Sequence, residues 1–340
     1  MSLSILRPGL LTTVQDLGRP DYQHLGVVVS GALDAVALRV ANLLVDNAQD
    51  AAGLEITLLG PTIRFEADYL IALTGADLSP TLDGQPLPPH RPVAVRAGTV
   101  LAFGAARAGC RAYLAVAGGL DVPLVLGSRA TYLRAALGGW HGRALRAGDE
   151  LLVGEPTAAG QQLWQAVASA SLATGSAAPG WAAARWTPSP ELCLAPRPQP
   201  IIRAVRGPEY EQFAAASQQA FWHEQFSITP AADRMGYRLR GPELRRETTA
   251  ELLSSAVTFG TVQVPPGGQP IVLLADAQTT GGYPRLAQVI TADFAALAQA
   301  APGQALRFQE VSLAEAQTLY LAQEHRLRAM QRAIHLKLIA

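Results

Sequence analysis

In the stretch LADAQTTGGYPRL, from Leu274 to Leu286, an apolar run gives way to a carboxylate (Asp276), an amide (Gln278), two hydroxyls (Thr279 and Thr280), two glycines, Tyr283 and Pro284. A tight turn needs only two to five residues and draws on Gly, Pro, Asn and Asp for their backbone geometry. The amide and the hydroxyls exceed that need. They are donors of the kind that meet a developing oxyanion, together with the backbone N–H groups around Gly281 and Gly282. Asp276 is placed to orient such a group or to accept a proton. Asp276, Gln278 and Thr279 are the catalytic candidates, and Thr280, Tyr283 and Gln263 the candidates for substrate contact. A second reading of the loop stays open, in which its polar side chains satisfy backbone groups of a barrel connection.

Two more residues are candidates for substrate contact. Arg234 and Tyr237, in ADRMGYR, suit a carboxylate or phosphate, since a guanidinium binds such groups through a two-pronged fork. Their neighbours Asp233 and Arg238 have counterparts in Asp34 and Arg39, and charges repeated in this way often fix a corner by ion pairing. Gln15, Asp16 and Arg19 in TTVQDLGRP fit turn chemistry, with Gly18 and Pro20 beside them. Asp121, Ser128, Arg129 and Thr131 occur in a lobe, GLDVPLVLGSRAT, that suits partner contact. The lobe has no GxSxG nucleophile elbow. His141 is a lone histidine beside Trp140, expected to pack or face solvent.

Composition excludes several chemistries. Lys337 is the only lysine among 27 basic residues. A phosphate-cradling P-loop, a Schiff-base enzyme and a biotin carrier each need a lysine in a particular place, so none of them is expected. Charged residues are 16% of the chain and the net charge is zero, which leaves no basic field for nucleic acid or an anionic membrane. Cys110 and Cys193 lack CxxC or CxxH spacing and the six histidines lack HExxH spacing, so no metal site is expected. MSLSILRPGL lacks a signal-peptide pattern, and no run of about 18 apolar residues is present to span a bilayer. A cytoplasmic location is expected.

The residues above need elements to hold them. LEITLL, YLIALTG, PVAVR, TVLAF and RAYLAVAG in the first half, and IIRAVRG, SAVTFGTVQV, IVLLAD, AQVITAD and QALRF in the second, are short β-rich runs separated by turn residues. Such a series favours barrels or sandwiches. The halves match in order: Asp34 falls on Asp233 (a shift of 199), Ile71 on Ile271 (200) and Phe103 on Phe308 (205), which reads as a tandem duplication. Helices are expected in SGALDAVALRVANLLV, with Ser30 as a possible N-cap, and in GPEYEQFAAASQQAF. A terminal helix is expected to open on the capping-box pair Ser312 and Glu315. The resulting division is a first domain over 1–155 with an inserted lobe, an Ala/Gly/Pro-rich linker over 156–200 in which WQAVASASLA could form a short helix, a second domain over 201–311, and a terminal helix over 312–340.

TTVQDLGRP, HLGVVVSGALD, LEITLLGPTIRF, AVAGGLDVPLVLGSRAT, GRALRAGD, DRMGYRLRGPEL and GTVQVPPGGQPIVLLADAQTTGGYPRLA together resemble the allophanate hydrolase subunit two family over about residues 3 to 310. The tail after about Ser312 lies outside the resemblance. That family includes the C subunit of the bacterial 5-oxoprolinase, the KipA proteins and one half of the carboxyltransferase region of urea carboxylase. The resemblance implies a mainly β chain with two tandem cyclophilin-like β-barrel domains, a few helices and a C-terminal helix. It also implies a subunit-one (KipI-like) partner and the A subunit of 5-oxoprolinase, and a small lactam or amide as substrate. The complex would consume ATP, whose site no motif in this chain reveals, and no biotin would be attached. The implied activity is the opening of 5-oxoproline to L-glutamate, by a chain inactive alone. Two alternatives accompany it: a carboxyltransferase half of a biotin-dependent urea or amide carboxylase, and a KipA-like protein that binds a KipI-like inhibitor of a histidine kinase.

Overall fold

A computed structural model describes residues 1–172, 180–193, 196–248 and 252–339. The chain divides into two compact units. One comprises residues 1–18, 34–195 and 325–340, and the other residues 19–33 and 196–324. The architecture is mainly β.

The first unit holds two six-stranded sheets. In one, Glu150–Leu152, Ser2–Arg7, Thr62–Phe65, Val100–Ala102, Thr81–Leu82 and Gln85–Pro86 lie side by side. In the other the order is Trp181–Ala183, Val93–Val95, Tyr69–Asp77, Ala108–Val116, Gly53–Thr57 and Leu11–Gln15. Leu3, Ile5, Ile63, Phe65 and Leu101 of the first sheet share a core with Val14, Leu54, Ile56, Ile71 and Leu73 of the second. The run YLIALTG is apolar without alternation because both of its faces are covered. Ile71 and Leu73 enter that core, while Leu70 and Ala72 pack under Val40, Ala41 and Leu44 of helix Ala35–Leu44.

That helix is capped by Asp34, whose Oδ1 accepts from the Ala37 N–H at 2.9 Å. The expected cap, Ser30, lies outside the helix in a left-handed conformation (φ 57°). Within the stretch read as a linker, Ala158–Leu172 is a helix, with Leu163 and Val167 buried in the same cluster, and Trp181–Ala183 pairs with Val93–Val95. Residues 173–179 and 194–195 of that stretch lie outside the described residues, as does Ala173 at the end of WQAVASASLA. The terminal helix, Leu313–Ile339, is capped by Ser312, whose hydroxyl accepts from the Glu315 N–H. Its residues Leu327, Met330 and Ile334 are buried in the first unit.

In the second unit seven strands close a barrel: Ile201–Arg206, Arg285–Val289, Thr261–Gln263, Ile271–Leu273, Gly236–Arg240, Gln225–Ile228 and Ala305–Glu310. Closure leaves no free sheet edge. Phe221 of helix Ala215–His223 stacks on Phe308, with ring centroids 4.4 Å apart. Strand hydrogen bonds close a ring in this unit, while the first unit keeps two separate sheets.

The charge pair used to align the halves does not mark equivalent positions. Asp34 and Arg39 belong to a helix and its cap, whereas Asp233 sits in a turn, accepting from Met235 and Gly236 N–H groups, and Arg238 lies in a strand. A short apolar-and-charged match is satisfied by either geometry, and burial decides which one forms.

One ion pair in the first unit has a readable effect on stability. Arg143 grips both oxygens of Asp149 at 2.7 Å, and the Arg146 N–H adds a third bond at 2.7 Å. The Arg143 hydrogen bonds are the main reason the Asp149 carboxyl is held down at about 2. The ordinary value is near 3.8, and each pKa unit is about 1.4 kcal/mol, so this carboxylate contributes roughly 2 kcal/mol above pH 4. Because the folded value is the lower one, that contribution is lost as pH falls through about 2. Asp149→Asn should lower the urea midpoint at pH 6 and remove part of the decline between pH 4 and pH 2, as measured by denaturation at a series of pH values.

Candidate functional site

The loop Leu274–Pro284 runs along one end of the barrel, between strands Ile271–Leu273 and Arg285–Val289. Its first half is a buried anchor. Arg234 Nε donates to one oxygen of Asp276 at 2.9 Å, and Arg234 Nη2 donates to the other at 3.0 Å. Both side chains are at least nine-tenths buried. Arg234 Nη2 also donates to the Gly31 carbonyl at 2.6 Å, and Ser30 N–H donates to the Ala275 carbonyl at 2.9 Å. Ser30 and Gly31 both hold left-handed backbone (φ 57° and 87°), which turns the segment so that its polar groups meet the loop.

The second half is an exposed polar rim. Thr280–Gly281 forms a short ladder with Ser255–Ala256, and Val257 N–H donates to the Thr279 carbonyl at 3.0 Å. Gln263 is buried beneath and donates to the Tyr283 carbonyl through a long bond of 3.4 Å. Gly281 lies close over Gln263: a Cβ at this position would come within 2.7 Å of Gln263 Nε2, so that amide would have to shift. The rim ends at Arg285, whose fork holds Glu209 at 2.8 and 2.9 Å, with a further bond to the Ala256 carbonyl. Those Arg285 bonds keep the Glu209 carboxyl below its ordinary range.

Gln278, Thr280 and Tyr283 are exposed and Thr279 is half-buried. Their side chains make no hydrogen bond among the described residues. The backbone of the loop is therefore tied down while an amide, two threonine hydroxyls and a phenol are left open to bind.

The structure brings together Arg234, Asp276, Gln263, Gln278, Thr279, Thr280 and Tyr283, with two corrections. Tyr237 is a core residue. Its strand alternates Tyr237 and Leu239 inward with Arg238 and Arg240 outward, and its hydroxyl donates to the Ala300 carbonyl at 3.0 Å. Asp276 has both oxygens gripped by Arg234, so the geometry fits an anchor better than a proton acceptor, and Arg234 spends its fork on that internal carboxylate. Nothing in the sequence singles out Glu209 and Arg285. They are 76 residues apart, Glu209 in a turn and Arg285 at the start of a barrel strand.

Other polar groups singled out in the sequence belong to the first unit. Asp16 accepts from Gly18 N–H and Ser128 Oγ at 2.7 Å and from Arg129 N–H at 2.5 Å. Gln15 Nε2 donates to Thr13 and to the Thr131 carbonyl. This joins the turn after Gln15 to the lobe, which also covers the edge strand Leu11–Gln15 through Thr131 N–H to Val14 and Leu145 N–H to Thr12. His141 is exposed and packs edge-on against Trp140.

Against known proteins, residues 25–310 match the carboxyltransferase domain, subdomain A and B. The chain belongs to that family. It is 44% identical to the 5-oxoprolinase C subunit of Escherichia coli, over 92% of this chain and 93% of that protein. It is 39% identical to the 5-oxoprolinase C subunit of Haemophilus influenzae, over 95% of each. The solved structure of urea amidolyase from K. lactis superposes with a TM-score of 0.85 at 28% identity, covering 97% of this chain and 20% of that much longer one. Among the described residues no helix is long and apolar enough to cross a membrane.

The anchor can be tested by its energetics. Removing one partner of a buried pair leaves an uncompensated charge, at about 3–5 kcal/mol, whereas an apolar pair of similar volume is nearly neutral. Arg234→Met should lower the urea midpoint of the barrel unit strongly, and Arg234→Met with Asp276→Leu should recover most of the loss. Equal losses in the single and double variants would contradict the pairing.

Proposed function

We propose that the chain is the C subunit of an ATP-dependent 5-oxoprolinase, which acts with A and KipI-like B subunits to open the lactam of 5-oxoproline to L-glutamate. The observation that carries this reading is the near full-length similarity to two 5-oxoprolinase C subunits. The rim adds a physical argument. Opening a lactam means adding water to the amide carbon and breaking the C–N bond, with a proton passed to the leaving nitrogen. Negative charge grows on the carbonyl oxygen on the way, and fixed donors lower that barrier far more than mobile water does.

Gln278 and Thr279 are the residues assigned to that oxygen, since both are open and stand on a backbone held by the Arg234–Asp276 anchor. Thr280 and Tyr283 are assigned to the rest of the substrate, and Gln263 holds the rim from below. ATP is consumed by the complex, and no motif of this chain marks a site for it. The chain alone is expected to be inactive.

A second reading has one observation in its favour, the superposition on urea amidolyase. In it the chain is a carboxyltransferase half acting on urea or a related amide. Biotin would have to arrive on another protein, because the only lysine is Lys337.

Reconstitution separates the two. Mixed with its companion subunits, the chain should give ATP-dependent glutamate from 5-oxoproline. With a biotin carrier and carboxylase instead, it should give no urea-dependent carboxylation. Replacing Gln278 and Thr279 by Ala should lower glutamate formation by roughly 100-fold or more, while leaving the binding of companions and the melting temperature unchanged. Full activity in that double variant would remove the rim from the mechanism.

A further inference from the structure

Thr279 and Thr280 hang on a ribbon that its own backbone holds weakly. Thr280–Gly281 and Ser255–Ala256 are strands of two residues each, and they form a ladder of their own outside the seven-stranded barrel. A ribbon that short is marginal in water. Beyond the ladder, its backbone adds the bond from Val257 N–H to the Thr279 carbonyl at 3.0 Å. A side chain supplies a further tie. Arg285 opens the barrel strand Arg285–Val289, and its Nη1 donates at 3.2 Å to the carbonyl of Ala256, the residue opposite Thr280.

A guanidinium on a long flexible stem holds a single carbonyl in few of its rotamers, so its aim must be fixed. Glu209 does this. Its Oε2 accepts from Arg285 Nε at 2.9 Å and its Oε1 from Arg285 Nη2 at 2.8 Å, which leaves Nη1 directed at Ala256. The two backbones are tied as well: Arg285 N–H donates to Glu209 Oε2 at 2.9 Å, and Glu209 N–H donates to the Arg285 carbonyl at 3.3 Å. With side chains 23% and 12% accessible, Arg285 and Glu209 are shielded beyond an ordinary surface ion pair. The pair is a rigid bracket between the barrel and the ribbon.

We propose that Glu209 and Arg285 are positioning residues for the reaction at the rim: the carboxylate fixes the guanidinium, and Nη1 holds the strand against which Thr279 and Thr280 are laid. This rests on the reading of the rim as the place where the lactam is opened. Both side chains act through the ribbon, keeping the two hydroxyls within the narrow tolerance that stabilisation of an oxyanion demands.

The test combines glutamate formation by the reconstituted complex with amide hydrogen exchange of the full-length chain. Glu209→Ala frees the guanidinium, so exchange at Val257 N–H should rise about tenfold. Val289 N–H, which donates to the Gly260 carbonyl within the barrel unit, should keep its protection. In the same variant kcat should fall by roughly 10- to 100-fold. Glu209→Gln, whose amide oxygen still accepts from Arg285, should restore much of both. Glu209→Arg with Arg285→Glu re-forms an ion pair but leaves no donor at position 285 for Ala256, so the melting temperature should stay near that of wild type while kcat stays low. Wild-type turnover in that reversed pair would make the contact a tie of the fold alone and overturn the proposal, as would unchanged Val257 exchange in Glu209→Ala. A loosened ribbon with full activity overturns the positioning role and leaves the functional reading intact. A wild-type complex that forms no glutamate removes the functional reading and the positioning role with it.

Discussion

A guanidinium and a carboxylate taken out of water must satisfy one another, and in the barrel unit Arg234 and Asp276 do so through two parallel bonds. The third contact of Arg234, to the Gly31 carbonyl, extends the constraint from one loop to two. The first half of the Leu274–Pro284 loop is therefore fixed by a buried ion pair. Its second half can then present polar side chains to solvent without those groups being needed to hold the turn. Rigid backbone with unspent donors is what separates a binding rim from an ordinary connection.

The same division of labour recurs in the first unit. Asp16 ties the turn after Gln15 to Ser128 and Arg129, 112 and 113 residues away, and the hairpin turn bridged by Val125 and Ser128 displays apolar side chains. In both units a buried carboxylate serves the backbone, while the side chains left exposed beside it at Gln278, Thr280, Tyr283, Leu124 and Leu126 carry no charge.

Much of the fold is legible in the sequence. The runs at 54–59, 69–75, 92–96, 99–103 and 111–118 are strands within a residue or three, because short β-rich segments between turn residues have few other ways to bury themselves. Ser312 and Glu315 mark the start of the terminal helix because capping is a local interaction. Tyr237 is a core residue and not a site residue, and the sequence holds the correcting signal: GYRLR alternates apolar with arginine at period two, which puts Tyr237 on the inner face. Ser30 loses the cap to Asp34, four residues on, which competes for the same role and lies next to the helix.

Local sequence determined the strands, the terminal cap and the surplus of polar groups at Gln278, Thr279 and Thr280, since each depends on neighbouring residues or on composition. Tertiary structure alone decided that Asp276 is an anchor, that Glu209 meets Arg285, that Asp16 reaches the lobe, and that seven strands close in one unit while two sheets remain in the other. Those outcomes are set by which side chains come within hydrogen-bonding reach once the chain is packed, across separations from 42 to 113 residues that no local propensity spans.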